Sequence, residues 1–398
     1  MSAIYPFAAL RPAPDAAARV AAVPYDVVNT EEARMLAAGN PLSFLHVSRP
    51  EIDLPAGADA HADAVYALSA RNFSRLKSEA PLVVEEAPSF YVYRLHMGDH
   101  VQAGIAACYS IDEYDRDLIK KHEKTRPDKE DDRTRHMLAI GAQTGPVFLT
   151  YRASKAVDAS VSRVTGGAPL FDFTAADGVR HMVWRVPAAE NQAITDAFAK
   201  IDSLYIADGH HRAASAARTR RSLAAKGAGE HDRVLAVAFG DNQMRVLPYN
   251  RVVTDLRGLT PARFLETVTQ KFSVRAGGPA APSTRGEAAM YLDGAWHTVT
   301  LPSGGGALDV DVLQSSILEP LLGIADVRTD KRIEFVGGIR GTSELERLVN
   351  SGKFAVAFSL YAVSVDDLMR IADAGGIMPP KSTWFEPKLR DGLLSHLI

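Results

Sequence analysis

The chain has 398 residues, 46% hydrophobic and 23% charged, with a formal net charge of −3. That length can bury a large core, in two domains or one large one. The near-neutral balance leaves no electrostatic footprint for duplex DNA or an anionic membrane surface, which would call for a basic excess.

The opening "MSAIYPFAALRPAP" has no basic stretch followed by a long apolar one, so no secretory signal is read there. No run approaches the roughly 20 apolar residues of a membrane span. A single cysteine, Cys108, rules out an intramolecular disulfide and sits in a strand-like run that reads as buried. A cytoplasmic protein without nucleic-acid or membrane partners is therefore expected.

In chain order, "VVNTEEARMLAAGNP" reads as a short helix. Asn29 or Thr30 caps it, Glu31 and Glu32 complement its positive end, and Gly39 with Pro41 stops it. "SFLHVSRPEIDLP" reads as a strand entering a proline-punctuated loop, and residues 59–80 have helical periodicity. "SFYVYRLHMG" and "HVQAGIAACYSIDEY" form a hairpin across "MGDH", residues 115–136 a helix or helix-loop, and "GPVFLTY" a short buried strand.

Further on, "VLAVAFGDNQMRVLPYNRVV" resembles two strands joined at Gly240-Asp241-Asn242, and "AAMYLDGAWHTVTL" a hairpin on Asp293-Gly294. "RAGGPAAPSTRG" and "PSGGG" are loops by composition. "RIEFVGGIRGTSELERLVNSG" reads as strand, glycine-rich turn and helix, with Ser343 and Glu346 at capping-box spacing. Irregular alternation with several hairpins predicts an α+β fold on a mixed sheet. The whole chain, 1–398, reads as one region, with a break near 152–166 separating possible lobes 1–151 and 167–398.

Four places carry candidate chemistry. "YIADGHHR" puts Asp208, Gly209, His210, His211 and Arg212 where a strand hands over to an alanine-rich helix. There the helix dipole and free N–H groups favour an anion. Gly209 permits a tight turn. His210, His211 and Arg212 offer donors, while Asp208 can take a proton, hold a divalent ion, or merely cap the helix.

The run 119–137 contains His122, Glu123, Arg126, Lys129, Glu130 and Arg133. One reading is a solvated helix laced with pairs such as Glu130 with Arg133. The other is a phosphate-and-metal cluster around the break at Pro127. It is not a zinc-protease motif, since Arg126 stands where a second histidine would be. "MPPKSTWFEPKL" is a rigid extended segment: Trp384 and Phe385 anchor it as a strap, or hold Lys381 and Ser382 toward a site. "VPYDVV" alone is a turn signal.

Together "PFAALRP", "VPYDVV", "NPLSFLHVSRPEIDLP", "HEKTRPDKEDDRTRH", "YIADGHHR", "LPYNRVV" and "MPPKSTWFEPKL" resemble the signature segments of the bacterial domain-of-unknown-function 1015 family, in order from about Pro6 to Leu389. The Asp-Gly-His-His-Arg element is also similar to the Asp-Gly-His-x-Arg loop of free-serine kinases in the ParB/sulfiredoxin superfamily. That resemblance implies a ParB/sulfiredoxin-like core elaborated by extra hairpins and helices, with a nucleotide-phosphate site at this loop. It carries over Asp208, Gly209, His210 and Arg212; His211 occupies the variable position, and Glu123 is the candidate for the kinases' separate catalytic glutamate.

The leading expectation is a small-molecule kinase forming O-phosphoserine from L-serine, with ATP, ADP or pyrophosphate as donor and Mg²⁺ bridging the phosphates. Asp208 or Glu123 accepts the hydroxyl proton and holds the Mg²⁺, and His210 joins them as a catalytic residue. Gly209, His211, Arg212, Arg126, Lys129, Arg133, Lys381 and Ser382 are the phosphate-binding candidates. No Gly-x-x-x-x-Gly-Lys-Ser/Thr loop is present, which argues against a P-loop kinase. The alternatives are a non-catalytic nucleotide-binding regulator of ParB-like type and a metal-dependent phosphatase built on His210, His211 and Asp208.

Overall fold

The computed structural model describes residues 2–55, 57–79, 82–302 and 306–398. The "PSGGG" loop thus falls largely outside the described residues. The chain divides into two compact units, Met1–Met244 with Pro387–Ile398, and Arg245–Glu386. Residues 152–166, expected to separate two lobes, instead carry the helix Lys155–Thr165 within the first unit. It buries Val157, Ser160, Val161 and Val164 at helical spacing.

The first unit is built on a nine-stranded sheet. Its strands are β1 (Ile4–Tyr5), β2 (Tyr91–Met97), β3 (His100–Ser110), β4 (Ile119–Lys120), β5 (Val147–Tyr151), β6 (Phe171–Thr174), β7 (Arg180–Arg185), β8 (Leu204–Asp208) and β9 (Arg233–Gly240). They lie in the order β4-β8-β5-β9-β3-β2-β7-β6, with β1 on β3. Two pairs are parallel, β4 with β8 and β5 with β9, and the rest are antiparallel.

The fold is therefore α+β on a mixed sheet, as expected. The hairpin β2–β3 forms as its alternation predicts. Cys108 on β3 is fully buried. Helices α1 (Thr30–Ala37), α2 (Asp63–Glu79), α3 (Pro127–Ile140) and α4 (His210–Ser222) belong to the same unit. Asn29 caps α1 in a reciprocal box with Glu32.

Two local expectations fail for identifiable reasons, and a third holds as a connection without pairing. "SFLHVSRPEIDLP" is not a strand: Leu45–Ser48 is a helical turn, and Pro50 opens a 3₁₀ turn over Pro50–Asp53. Buried Phe44 and the Ser43 hydroxyl, which accepts the Leu45 N–H at 3.3 Å, close the chain into that turn. Gly240-Asp241-Asn242 does join two strands, β9 and Arg245–Leu247, but they do not pair: β9 pairs with β3 and β5, and the chain then passes into the second unit. Ser343 does not cap its helix, which starts at Gly341; Glu346 instead accepts the Trp296 indole N–H at 2.7 Å.

The second unit holds a six-stranded antiparallel sheet. At one side of it β10 (Tyr249–Val253) pairs with the edge strand β11 (Ile333–Gly337) and with β12 (Val356–Leu360). The Asp293-Gly294 hairpin forms as read, with both residues at positive φ. The C-terminal strap is a strand, Trp384–Glu386, paired with Arg245–Leu247. Among the described residues no helix is long and apolar enough to cross a membrane.

Candidate functional site

The Asp-Gly-His-His-Arg junction folds as the sequence suggests. β8 ends at Asp208, Gly209 turns the chain at φ 95°, and α4 begins at His210. A left-handed turn this tight suits glycine, since a Cβ there would lie 3.0 Å from the Arg212 guanidinium. Four alanines of α4 (Ala213, Ala214, Ala216 and Ala217) are buried and let the helix pack closely.

Asp208 is not the helix cap. Its Oδ1 accepts the neighbouring Gly209 N–H at 2.9 Å, and α4 starts without any side-chain cap. Its Oδ2 lies 3.3 Å from Arg212 Nη2 and 3.2 Å from Lys388 Nζ. Burial pushes the Asp208 carboxyl up, but Lys388 and Arg212 outweigh it and hold the group well below the usual carboxylate range. It is an ionised anchor between two cations, and a weak base.

The second motif reaches this place through strand pairing. β4 runs parallel to β8, with Ile119 opposite Leu204 and Lys120 opposite Tyr205. Parallel strands end on the same edge of a sheet, so His122 and Glu123, just past β4, arrive beside Asp208 and His210. The backbone N–H of His122 donates to His210 Nε2 at 3.4 Å, and the two rings stand edge to face at 4.4 Å. Burial, followed by the nearby His122, drives the His210 pKa well below its ordinary value; burial likewise lowers His122 to about 4.

His210 is thus neutral, and accepting at Nε2 puts its proton on Nδ1. Nδ1 faces the Glu123 carboxylate at 4.0 Å. Both His122 and His210 are buried, whereas the Glu123 side chain is 31% exposed. His122 Nδ1 and Arg212 Nε are buried without a hydrogen-bond partner.

His211 turns elsewhere, its Nε2 accepting the Arg126 N–H at 3.0 Å. Both Nε2 atoms of the His-His pair are therefore occupied by backbone N–H groups, so the pair is not a metal clamp. Among the described residues no group of three or more His, Cys, Asp or Glu side chains is arranged to hold a metal ion. Asp208, with both oxygens engaged and two cations against it, does not fit a direct magnesium ligand.

The rest of the charged run disperses. Arg126 is exposed and grips Asp128 at 2.7 Å. Lys129 is half-buried in the first turn of α3. Glu130 does not pair with Arg133: it holds Arg218 at 3.3 Å, and Ser215 Oγ donates to its backbone carbonyl at 3.1 Å, tying α3 to α4.

Arg133 points inward, pairing with Asp132 at 2.7 Å, donating to the Ser48 carbonyl and covering the Tyr25 ring at 4.2 Å. With Arg212, Tyr25 and Asp391 it lines an internal cavity of about 30 Å³, room for about one water. Burial raises Asp391 to about 7, countered by Arg212 and reinforced by Asp26.

Lys381 and Ser382 belong to the second unit. Lys388, by contrast, is in the first. It stood in a quoted signature string, yet no local pattern tells which carboxylate 180 residues away it faces. Tyr25, in "VPYDVV", was read only as part of a turn; Asp391 carried no signal at all.

The family model described as "Protein of unknown function (DUF1015)" matches residues 4–321, and the chain belongs to this family. No curated protein matches it. Among solved structures it is similar to a free serine kinase in complex with AMP, at 15% identity over 72% of this chain and 92% of that one, with a TM-score of 0.37. A conserved hypothetical protein from Pyrococcus furiosus is similar at 17% identity, over 73% and 95%, with a TM-score of 0.38. SbnI from Staphylococcus aureus, truncated at its C-terminus, is similar at 12% identity, over 72% and 85%, with a TM-score of 0.38.

Proposed function

We propose that this chain transfers a phosphoryl group to the hydroxyl of a small molecule, with free L-serine the leading substrate and ATP, ADP or pyrophosphate the donor. The observation that carries the reading is a half-exposed carboxylate, Glu123, facing the N–H edge of a neutral histidine at the uncapped start of α4. A base beside a helix terminus that favours phosphate is the equipment such a transfer needs, because its catalysis is positioning and charge stabilisation.

In this scheme the substrate hydroxyl oxygen forms the new P–O bond and its proton passes to Glu123. The donor's bridging P–O bond breaks, and its electron pair leaves on the departing phosphate. His210 orients Glu123 through Nδ1–H, a contact that tightens from 4.0 Å when substrate is bound. Asp208 holds Lys388 and Arg212 in place, and these two cations with the first-turn N–H groups of α4 stabilise the phosphate oxygens.

The test is phosphorus NMR of the protein with L-serine and each donor in turn, with phosphoserine alone in parallel. Phosphoserine formation that falls at least 100-fold in Glu123→Gln, with donor binding intact, is the expected result. Phosphate release from phosphoserine alone would favour a phosphatase, and donor binding without turnover a regulator; either overturns the kinase reading.

A further inference from the structure

A second charged centre lies wholly within the second unit, built from two signature strings that the proposed transfer does not use. Arg251 of "LPYNRVV" sits on β10, next to the edge strand β11, and is only 2% exposed. Its guanidinium donates to the backbone carbonyls of Tyr249 and Lys381, the latter at 3.0 Å, and lies 5.3 Å from the centre of the Phe335 ring. Among the described residues it forms no ion pair. Burial pulls its pKa down to about 10, with Tyr249 and Asp311 only partly countering.

A buried guanidinium without a close ion pair is unfavourable, because burial strips it of water. Two carbonyls occupy two of its five N–H donors. The residues around it point the same way. Arg251 lines a narrow cleft of about 10 Å³, room for about one water-sized oxygen of an anion, with Tyr249, Arg285, Asp309, Tyr361 and Ser382. Of the nearby acids, Asp309 lines the cleft but accepts the Gly286 N–H at 3.0 Å, Asp367 binds Arg285, and Asp311 attracts Arg251 through space without an ion pair to it.

Lys381 holds a left-handed backbone, φ 59°, a conformation that a non-glycine residue keeps only where its surroundings fix it. That conformation presents its carbonyl to Arg251 and sets its ammonium 5.4 Å from the centre of the Tyr249 ring. Ser382 follows, buried, its hydroxyl donating to the Pro379 carbonyl at 2.7 Å. Leu308, Val310 and Leu360 supply apolar walls.

We infer that this cleft is an anion site in its own right, taking the carboxylate or phosphate of a small metabolite on Arg251, with Lys381 at its rim. The bound anion adds the close ion pair that Arg251 lacks among the described residues, where Asp311 acts only at a distance. This inference is independent of the chemistry proposed at Glu123.

The experiment uses the full-length protein with ¹⁵N-labelled tryptophan. Trp384 packs edge to face on Tyr249 at 5.2 Å and reports on the cleft. Inorganic phosphate and acetate are titrated separately at constant ionic strength, with chloride as compensating salt. A saturable shift of the Trp384 indole signal is expected with phosphate or with acetate, and the stronger of the two names the head group.

Arg251→Gln is expected to abolish the shift. Because that buried change endangers folding, Lys381→Gln at an exposed position is the companion, expected to weaken binding roughly tenfold. Glu123→Gln must leave the titration unchanged, so failure here and failure of the kinase reading stay distinguishable. No saturable shift with either anion, or equal affinity in Lys381→Gln and the parent, overturns the inference.

Discussion

Removing the ammonium of Lys388 tests whether Asp208 is an anchor between two cations. Lys388 Nζ lies 3.2 Å from Asp208 Oδ2, and its side chain is 11% exposed against 26% for Asp208. At an effective dielectric constant of 20, that separation is worth about 5 kcal/mol of gross attraction. Breaking a fully buried pair from one side costs about 3–5 kcal/mol net. Here Arg212 still faces the carboxylate at 3.3 Å and water reaches part of it, so about 2 kcal/mol is expected for Lys388→Met.

For a unit of this size that is a fall in Tm of roughly 4–8 °C, read by calorimetry at neutral pH. The acid side carries a second signature. Because the folded pKa of Asp208 lies below its unfolded value, its contribution is present above the ordinary carboxylate pKa and lost as pH falls through the folded one. Without Lys388 the folded pKa rises, so the variant loses stability at higher pH than the parent does. Lys388→Arg should keep most of both properties. A Lys388→Met protein with unchanged Tm and an unchanged acid limb would refute the anchor.

Gly209→Ala forces a Cβ into a left-handed turn against the Arg212 guanidinium and should cost about 1–2 kcal/mol by denaturant unfolding. For Asp391 the sign is opposite to that of Asp208: its folded pKa, about 7, exceeds the ordinary value of 3.8, so folding loses stability as pH rises between them. Asp391→Asn should therefore gain on the parent from about pH 4 to pH 7, by a few kcal/mol in all, with a constant difference above that in urea titrations. Asn29→Ala removes one half of a reciprocal cap and should cost about 1 kcal/mol, which thermal unfolding would detect.

What the sequence made legible is what short-range chemistry encodes. Alternation marked the hairpin β2–β3, Asp293-Gly294 marked the turn of a hairpin in the second unit, and Asn29 or Thr30 with the acids behind them marked the start of α1, because each signal lies within a few residues of its effect. The strand-to-helix junction at Asp208 was readable for the same reason.

The rest was set by partners far along the chain. Arg133 was legible as part of a charged run, yet packing against Tyr25 and Ser48 turned it inward. Lys388 and His122 acquire their neighbours only when strand pairing and the return of the chain to the first unit bring them to β8. The isolated charge of Arg251 is a property of its surroundings, which no window on "LPYNRVV" contains.

The first unit leaves the chain at Met244 and resumes at Pro387. On the ribosome, β8 and α4 therefore emerge well before the lysine that neutralises Asp208, with all of Arg245–Glu386 synthesised in between. At roughly 5–20 residues per second that delay is on the order of ten seconds. Throughout it Asp208 has Arg212 but not Lys388, and the bridges of Leu10 to Ser395 and Ala22 to Asp391 are still unmade. The nascent first unit is thus a protein with its candidate site half assembled, and Pro387–Ile398 are the residues that finish it.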